Sequence, residues 1–219
     1  MKRTAAILCN GSAPKGSIYD KFYERFNFDL ICADGGANAA FKLGLLPKVI
    51  VGDLDSIDID TDIFKHYRQK GVQVQKLSRQ NDTDLEKALK LAVKLKYSRV
   101  VIFGFSGRRF DHTLSNISNV MKFSKQLEIY LVDDHSILQF IYGKRNFNSI
   151  KGEVVSLLCF DPKTKVTTTN LLYPLKSDSL QFGIRESISN VCTDDHFTID
   201  VKNGVCLLTR DLKTFLRLN

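Results

Sequence analysis

The stretch "KVIVGDLDSI" (residues 48–57) places two acidic side chains directly after a short apolar run. Residues 49–51 predict a buried strand, and Gly52 predicts its end. Asp53 and Asp55 follow where the chain leaves the sheet. Because two carboxylates this close repel one another, the stretch predicts a cation that offsets their charge.

A regular alternation of predicted strands and helices extends on both sides of this stretch, as far as Asp134. Short apolar runs alternate with amphipathic stretches, of which "DTDLEKALKLAVKLK" (82–96) is the clearest predicted helix, with Thr83 and Glu86 forming a capping box at its start. This alternation predicts an α/β unit with a mostly parallel sheet and helices on its faces. The predicted strands are TAAILCN (4–10), FDLICAD (28–34), KVIVGD (48–53), VQVQKL (72–77), RVVIFGF (99–105) and LEIYLVDD (127–134).

The pattern changes after about His135, where long helical periods end. We therefore predict two domains, residues 1–134 and 135–219, the second a smaller antiparallel β domain. Within it "VKNGV" (201–205) predicts a hairpin, since Asn-Gly suits a type I′ turn. The predicted strands are SILQFIYG (136–143), GEVVSLLCF (152–160), KVTTTNLLYPL (165–175), HFTIDV (196–201) and GVCLLTR (204–210).

Composition narrows the class of protein. The 219 residues are 43% hydrophobic and 26% charged, which is typical of a soluble globular chain. The net charge of +8 favours anionic partners, yet no run of five basic residues predicts a nucleic-acid tail. The five scattered cysteines predict reduced core thiols in a cytoplasmic protein. Apolar runs are too short for a membrane span or a signal peptide, so we expect the N-terminus to form a strand.

Polar side chains follow four of the strands predicted for the first half. In a parallel sheet these loops share one edge, where ligands bind. Oxygen ligands without a His or Cys cluster indicate Mg²⁺ or Mn²⁺, and Mg²⁺ is usually bound together with substrate phosphates. Neither a Rossmann fingerprint nor a P-loop is present. The charged residues expected in this cleft are Asp34, Asp53, Asp55, Asp82, Asp84, Arg108, Arg109 and Asp111.

Five segments, in this order along the chain, resemble the thiamine pyrophosphokinase family. Asn170 stands where that family usually has glycine, and Ile188 where threonine is common. The segments are DGGAN (34–38), LGLLPKVIVGDLDSI (43–57), NDTDLEKAL (81–89), GFSGRRFDHTLSNI (104–117) and VTTTNLLYPLKSDSLQFGIRESISN (166–190).

The resemblance implies a nucleotide-binding α/β domain, a thiamine-binding β-sandwich and a homodimer with active sites at the subunit interface. It implies that ATP, as co-substrate, gives its diphosphoryl group to the thiamine hydroxyl and leaves as AMP, with Mg²⁺ or Mn²⁺ bound. Position by position, the implied metal ligands are Asp53, Asp55 and Asp84. Arg109 and Asp111 complete the implied catalytic set. The implied ATP-binding residues are Asp34, Gly35, Gly36, Asn38, Gln80, Thr83, Gly107, Arg109 and His112, and the implied thiamine-binding residues are Ser187, Ser189 and Asn190.

Three other readings stay open on the sequence alone. A diphosphokinase acting on another heterocyclic alcohol, such as a pterin, would share the same phosphate chemistry. An aspartyl phosphatase would use one aspartate of the Asp53/Asp55 pair as a nucleophile, although Ser56 and Ile57 suit that chemistry poorly. A non-catalytic nucleic-acid module rests on the charge alone, because basic strands studded with aromatic residues are missing from the sequence.

Overall fold

The computed structural model describes residues 2–57, 62–77, 81–107 and 109–218. Two compact units divide the chain between Asp134 and His135. Within the described ranges, no helix is both long and apolar enough to span a bilayer. The fold is mixed α/β, with a mainly parallel sheet in the first unit and antiparallel strands in the second, as the sequence predicts.

The first unit alternates strands and helices along its whole length. All six predicted strands form, each slightly shorter than its apolar run. The strands are β1 (Thr4–Leu8), β2 (Asp29–Ala33), β3 (Val49–Gly52), β4 (Gln73–Lys76), β5 (Arg99–Phe103) and β6 (Glu128–Val132). The helices are α1 (Gly16–Phe26), α2 (Gly36–Lys42), α3 (Asp62–Gln69), α4 (Asp84–Lys94) and α5 (Phe110–Phe123).

The strand order indicates where a ligand would bind in this unit. Parallel pairing gives the order β4-β3-β2-β1-β5-β6. The chain therefore builds outward from β1 to β4 and then crosses back to add β5 on the other side of β1. Such a reversal of strand order opens a crevice at the carboxyl ends of the strands.

The central strands are buried because helices pack against the sheet. Every residue of β1 and β3 is buried, and α2 and α4 contact neighbouring strands. The edge strand β4 is half exposed and correspondingly polar, with two glutamines and a lysine. All five cysteines are buried and free, which confirms the prediction that they lie in the core.

The second unit is built on antiparallel pairs around one very long strand. β11 pairs with β7 along both of its halves, with β9 along its first half and with β8 along its second. β10 pairs with β8. The elements are β7 (Ser136–Asn148), β8 (Val154–Cys159), β9 (Lys165–Thr169), β10 (Ser187–Val191), β11 (His196–Asp211) and α6 (Leu212–Arg217).

The hairpin that the Asn-Gly pair predicts at residues 201–205 of this unit does not form, so that prediction was wrong. Asn203 does adopt a left-handed conformation, with φ of 58°, but residues 201–205 do not reverse the chain. They form an irregularity inside β11, since the pairing register with β7 shifts between Val201 and Cys206. The bulge lets one strand change partner from β9 to β8, a known use of bulges in antiparallel sheets.

Two elements of the second unit were not predicted. β10 has the polar sequence SISNV, which lacks an apolar run, and its pairing with β8 is irregular between Ser187 and Asn190. α6 spans only six residues, too few to show a helical period. Asp211 caps α6 by accepting a hydrogen bond from the Thr214 backbone at 2.7 Å.

Candidate active site

A cleft of about 960 Å³ lies within the first unit, lined by loops that follow β1, β2 and β5 and by the starts of α4 and α5. It therefore occupies the crevice that the strand order opens. Residues predicted from the sequence that line it are Gly35, Asn38, Thr83, Asp84, Gly107, Arg109 and His112. Lining residues that the sequence did not single out include Asn10, Gly11, Ser12, Lys42, Ser106 and Asn116.

Two glycines allow the elements beside the cleft to approach closely. A Cβ on the buried Gly36 would lie 2.0 Å from the Leu8 carbonyl oxygen, so this glycine lets α2 pack on the end of β1. A Cβ on Gly52 would lie 2.8 Å from Cβ of Asp34 and 3.2 Å from Oδ1 of Asp84. Gly52 thus makes room for two acidic side chains from other loops.

Three carboxylates converge at the ends of β2 and β3. Asp34, Asp53 and Asp55 each place one oxygen within 4.8 Å of the others. The backbone that presents them is strained, because Asp34 and Leu54 have φ of 43° and 67°. Non-glycine residues in this region cost about 1–3 kcal/mol each and persist where the surroundings hold them, as burial holds the Leu54 side chain.

Asp34 is the most unusual member of this group. It is only 3% exposed, and its Oδ1 is buried without a hydrogen-bond partner among the described residues. Burial raises the pKa of Asp34, and the negative charges of Asp84 and Asp55 raise it further, against the opposing effect of Ser56 and the Gly35 N–H. An orphaned carboxylate oxygen beside two other carboxylates is an arrangement that a cation would relieve.

A buried lysine partly compensates this negative charge. Lys87 is 3% exposed, and its Nζ lies 2.8 Å from Oδ1 of Asp84 and 3.5 Å from Oδ2 of Asp53. Burial lowers the pKa of Lys87, but the hydrogen bond and charge of Asp84, together with Asp53, raise it above its ordinary value. Burial alone would raise the pKa of Asp53, which the Asp55 N–H and Lys87 instead lower.

These donors fit a hard divalent cation. All are carboxylate oxygens, and among the described residues one of them has no hydrogen-bond partner and one ammonium group contacts the cluster. Mg²⁺ and Mn²⁺ prefer such ligands. The predicted ligand set was Asp53, Asp55 and Asp84. The structure groups Asp53 and Asp55 with Asp34, while Asp84 lies beside them in contact with Lys87.

Two other acidic residues, each next in sequence to a residue that lines the cleft, have basic partners of their own. Arg109 donates to Asp111 with both Nε and Nη2, at 3.2 and 2.5 Å, and both side chains are exposed. This pairing lowers the pKa of Asp111 to about 2. Asp82, which the sequence analysis expects in the cleft, accepts from Lys90 at 2.7 Å.

Comparison with known proteins identifies the family. The sequence model for "Thiamin pyrophosphokinase, catalytic domain" matches residues 24–131, and that for "Thiamin pyrophosphokinase, vitamin B1 binding domain" matches residues 141–206. The chain belongs to the thiamin pyrophosphokinase family.

Individual members of the family agree with this assignment. Thiamine pyrophosphokinase 3 of rice is 30% identical over 207 residues, which cover 81% of this chain and 76% of the relative. Thiamine pyrophosphokinase of Bacillus subtilis is 27% identical over 187 residues, covering 82% and 86% of the two chains. The crystal structure of a Bacillus subtilis thiamine pyrophosphokinase has the same fold, with a TM-score of 0.83 at 23% identity over 95% of this chain and 99% of that one.

The residues that the family resemblance assigns to thiamine lie on β10 of the second unit. Asn190 is 1% exposed, and its amide is occupied by Tyr173, accepting from its N–H at 3.0 Å and donating to its carbonyl at 2.7 Å. The amide also donates to Ser187 at 3.2 Å. Ser189 has a left-handed φ of 55°, and its N–H donates to Ser156. The buried Asn190 side chain therefore holds the backbone of this segment in place through hydrogen bonds.

Some of the predicted residues cannot be placed, and others were missed. Gln80 and Arg108 lie outside the described residues. Lys87 was missed, although its position three residues after Asp84 on a helix is a spacing at which opposite charges meet. Asn119 was also missed. It is buried on α5 and donates to the Thr83 hydroxyl at 2.8 Å, a contact that no local sequence pattern predicts.

Proposed function

We propose that this protein transfers the diphosphoryl group of ATP to the hydroxyl of thiamine, giving thiamine diphosphate and AMP in a divalent-metal-dependent reaction. The observation that carries the proposal is the convergence of Asp34, Asp53 and Asp55, with one buried orphan oxygen, in a chain of this family. Residues 1–134 would bind ATP and catalyse the transfer, and residues 135–219 would bind thiamine.

Asp34, Asp53 and Asp55, with Asp84 adjacent, would hold the Mg²⁺ or Mn²⁺ ion. When bound, the ion neutralises charge that spreads over the phosphoryl oxygens during transfer. The backbone conformations of Asp34 and Leu54 hold oxygens of the three carboxylates within 4.8 Å of one another, so the ligands would be preorganised for the ion. This preorganisation avoids part of the entropy cost of gathering like charges during catalysis.

The cationic side of the cleft would contact the phosphate chain. The exposed Arg109 is held by Asp111, which leaves the guanidinium able to donate to phosphate oxygens. Since the pKa of Asp111 is about 2, Asp111 is a weak base, and holding Arg109 is the role its geometry supports. Gly35, Asn38, Thr83, Gly107 and His112 line the cleft in positions that suit the remainder of ATP, and Gly36 supports α2.

Asp84 and Lys87 would act as a pair at the reacting end. Lys87 fixes one oxygen of Asp84 at 2.8 Å, so the carboxylate has a defined orientation at the start of α4. A carboxylate held in this way is suited to accept a hydrogen bond from the incoming thiamine hydroxyl and so orient its attack. The buried Lys87 ammonium would also limit the repulsion between Asp84 and the phosphates.

The second unit offers a surface of mixed chemistry for thiamine. Tyr173 and Ile188 are 65% and 57% exposed, and Ser187 and Ser189 lie on the strand beside Ile188. An aromatic ring and an aliphatic side chain next to hydroxyl groups suit a flat heterocycle with polar edges. We propose further that two copies form a homodimer with active sites at the subunit interface, and that the enzyme works in the cytoplasm without binding nucleic acid.

Product chromatography with matched omissions tests the function. The protein is incubated with ATP, Mg²⁺ and thiamine, and then without each in turn. We expect AMP and thiamine diphosphate in equal amounts, and neither product when any component is omitted. ADP with thiamine monophosphate, or AMP formed without thiamine, would overturn the proposal. A hydroxymethyl pterin in place of thiamine serves as the control acceptor and should give no AMP.

A further inference from the structure

The hydroxyl of Thr83 already accepts two hydrogen bonds within the protein. Its Oγ1 accepts from the Glu86 N–H at 3.2 Å, which caps α4, and from Nδ2 of Asn119 at 2.8 Å. A hydroxyl group has two acceptor lone pairs and one proton. Because both lone pairs are occupied, what Thr83 offers to a further partner is its proton, and Thr83 lines the cleft.

The orientation of the Asn119 amide is fixed by a cation. Lys122 donates from Nζ to Oδ1 of Asn119 at 2.8 Å. An ammonium group can only donate, so the amide must turn its oxygen toward Lys122 and its NH₂ group toward Thr83. Lys122 is itself held by Glu86 at 3.2 Å, and Asn119 is 4% exposed. Lys122 therefore determines that Asn119 donates its hydrogen bond to Thr83 and does not accept one from it.

We propose that Asn119 is a positioning residue for nucleotide binding, which makes Thr83 an obligatory donor to a phosphoryl oxygen of ATP. This inference rests on the proposed function of the cleft. Without the Asn119 donor, the Thr83 proton could turn toward α5 and a lone pair would face the anionic phosphates. With Asn119 in place, that repulsive orientation is excluded before ATP binds, so the cleft favours anionic oxygen at this point.

The sharpest variant reverses one hydrogen bond while keeping the shape. In Asn119→Asp, a carboxylate replaces the NH₂ donor and accepts the Thr83 proton, which then points away from the cleft. We expect the Kd for ATP, measured by calorimetry without thiamine, to rise about tenfold, the usual worth of a hydrogen bond to a charged group. Thr83→Val should weaken ATP binding similarly, and Thr83→Ser should keep the wild-type Kd.

A second ligand separates positioning from a loss of structure. Adenosine lacks phosphates, so its Kd should be the same for wild type and Asn119→Asp if the effect passes through the Thr83 proton. The double variant Asn119→Asp/Thr83→Val should bind ATP no more weakly than Thr83→Val alone. Equal weakening of ATP and adenosine, or additive losses in the double variant, would overturn the inference.

The failure of this inference is distinguishable from failure of the proposed function. Wild-type protein that does not bind ATP would contradict the proposed function itself, and the inference with it. Wild-type protein that binds ATP, together with an unchanged Kd in Asn119→Asp, would overturn only the role of Asn119. Lys122→Met offers an independent check, since freeing the amide to rotate should raise the Kd for ATP less than Asn119→Asp does and leave that for adenosine unchanged.

Discussion

Two groups of charged side chains, one in each unit, are built on opposite principles, and only the group in the second unit is buried throughout. In the second unit, Arg210 donates to both oxygens of Glu153, at 2.7 and 2.9 Å, and to the Asn148 carbonyl at 2.7 Å. Its guanidinium lies 5.4 to 5.9 Å from three ring centroids, those of Phe147, Phe197 and Phe215. One positive charge meets one negative charge, and the aromatic rings exclude water.

The group in the first unit is left unbalanced. Lys87 contacts Asp84 and Asp53, and Asp34 and Asp55 lie beside them, so the described part of the chain places one ammonium group among four carboxylates. A balanced pair of buried charges serves the fold, because its desolvation is offset internally. An unbalanced group leaves an excess of negative charge that a bound cation would offset. We therefore infer that the balanced pair is structural and the unbalanced group functional, and mutations at the two places test this distinction.

The largest expected effect is on activity, from removing one charge of the unbalanced group. Asp53→Asn should lower the rate of thiamine-dependent AMP release by about 10²–10³-fold, because a preorganised electrostatic contact at the reacting centre is lost. The Tm of the metal-free protein should change little, because the decrease in repulsion is offset by the loss of the charge that Lys87 and the Asp55 N–H stabilise, and added Mg²⁺ should no longer raise it. Asp20→Asn, on the exposed face of α1, is the matched control. An active Asp53→Asn protein would contradict the proposed site.

The balanced pair should respond in the opposite way. Glu153→Gln leaves Arg210 buried without its counter-charge, and we expect the free energy of unfolding to fall by about 3–5 kcal/mol. Because the chain has no tryptophan, urea unfolding is best followed by circular dichroism. Added Mg²⁺ should not restore the loss. The double variant Glu153→Leu/Arg210→Met should recover most of it, since an apolar pair needs no counter-charge.

Among the described residues, Lys87 is the one cation seen to contact the unbalanced group, so its removal should increase the excess of negative charge. Lys87→Met keeps the buried aliphatic stem and removes the charge. The metal-free protein should lose about 1–3 kcal/mol of stability, and Mg²⁺ should raise its Tm by more than it raises that of wild type, as the ion then offsets the whole excess. Lys90→Met, at an exposed pair, should change little. A loss that Mg²⁺ leaves unchanged would make Lys87 purely structural.

Features determined by short stretches of sequence were the predictable ones. The strands of the first unit followed from apolar runs, and their alternation with helices gave the parallel sheet. The convergence of Asp53 with Asp55 followed from their place after β3. Thr83 caps α4 as the capping box predicts, although the Glu86 carboxylate binds Lys90 and Lys122.

Features that depend on distant contacts were not predictable. The Asn-Gly pair correctly indicated left-handed backbone at Asn203, yet whether the chain turns back or bulges depends on the partners of β11. Asn170, which replaces the glycine usual in the family, keeps a left-handed φ of 58°, as asparagine tolerates it. The role of Asn119 depends on two helices meeting at Thr83, which periodicity does not show.

The smallest expected effect concerns a third arrangement of charge, the exposed pair of Arg109 and Asp111. Arg109 lowers the pKa of Asp111 from 3.8 to about 2, so the stabilisation from this contact is present above pH 4 and lost only as the pH falls toward 2. Asp111→Asn should therefore lower kcat/KM by a small factor, about two- to fivefold, that is the same at every pH from 5 to 9. Loss of the acid limb of the pH profile in this variant would instead make Asp111 the proton acceptor. A constant factor would mean that Asp111 acts on Arg109 as Glu153 acts on Arg210. Each carboxylate would hold an arginine side chain in position and exchange no proton.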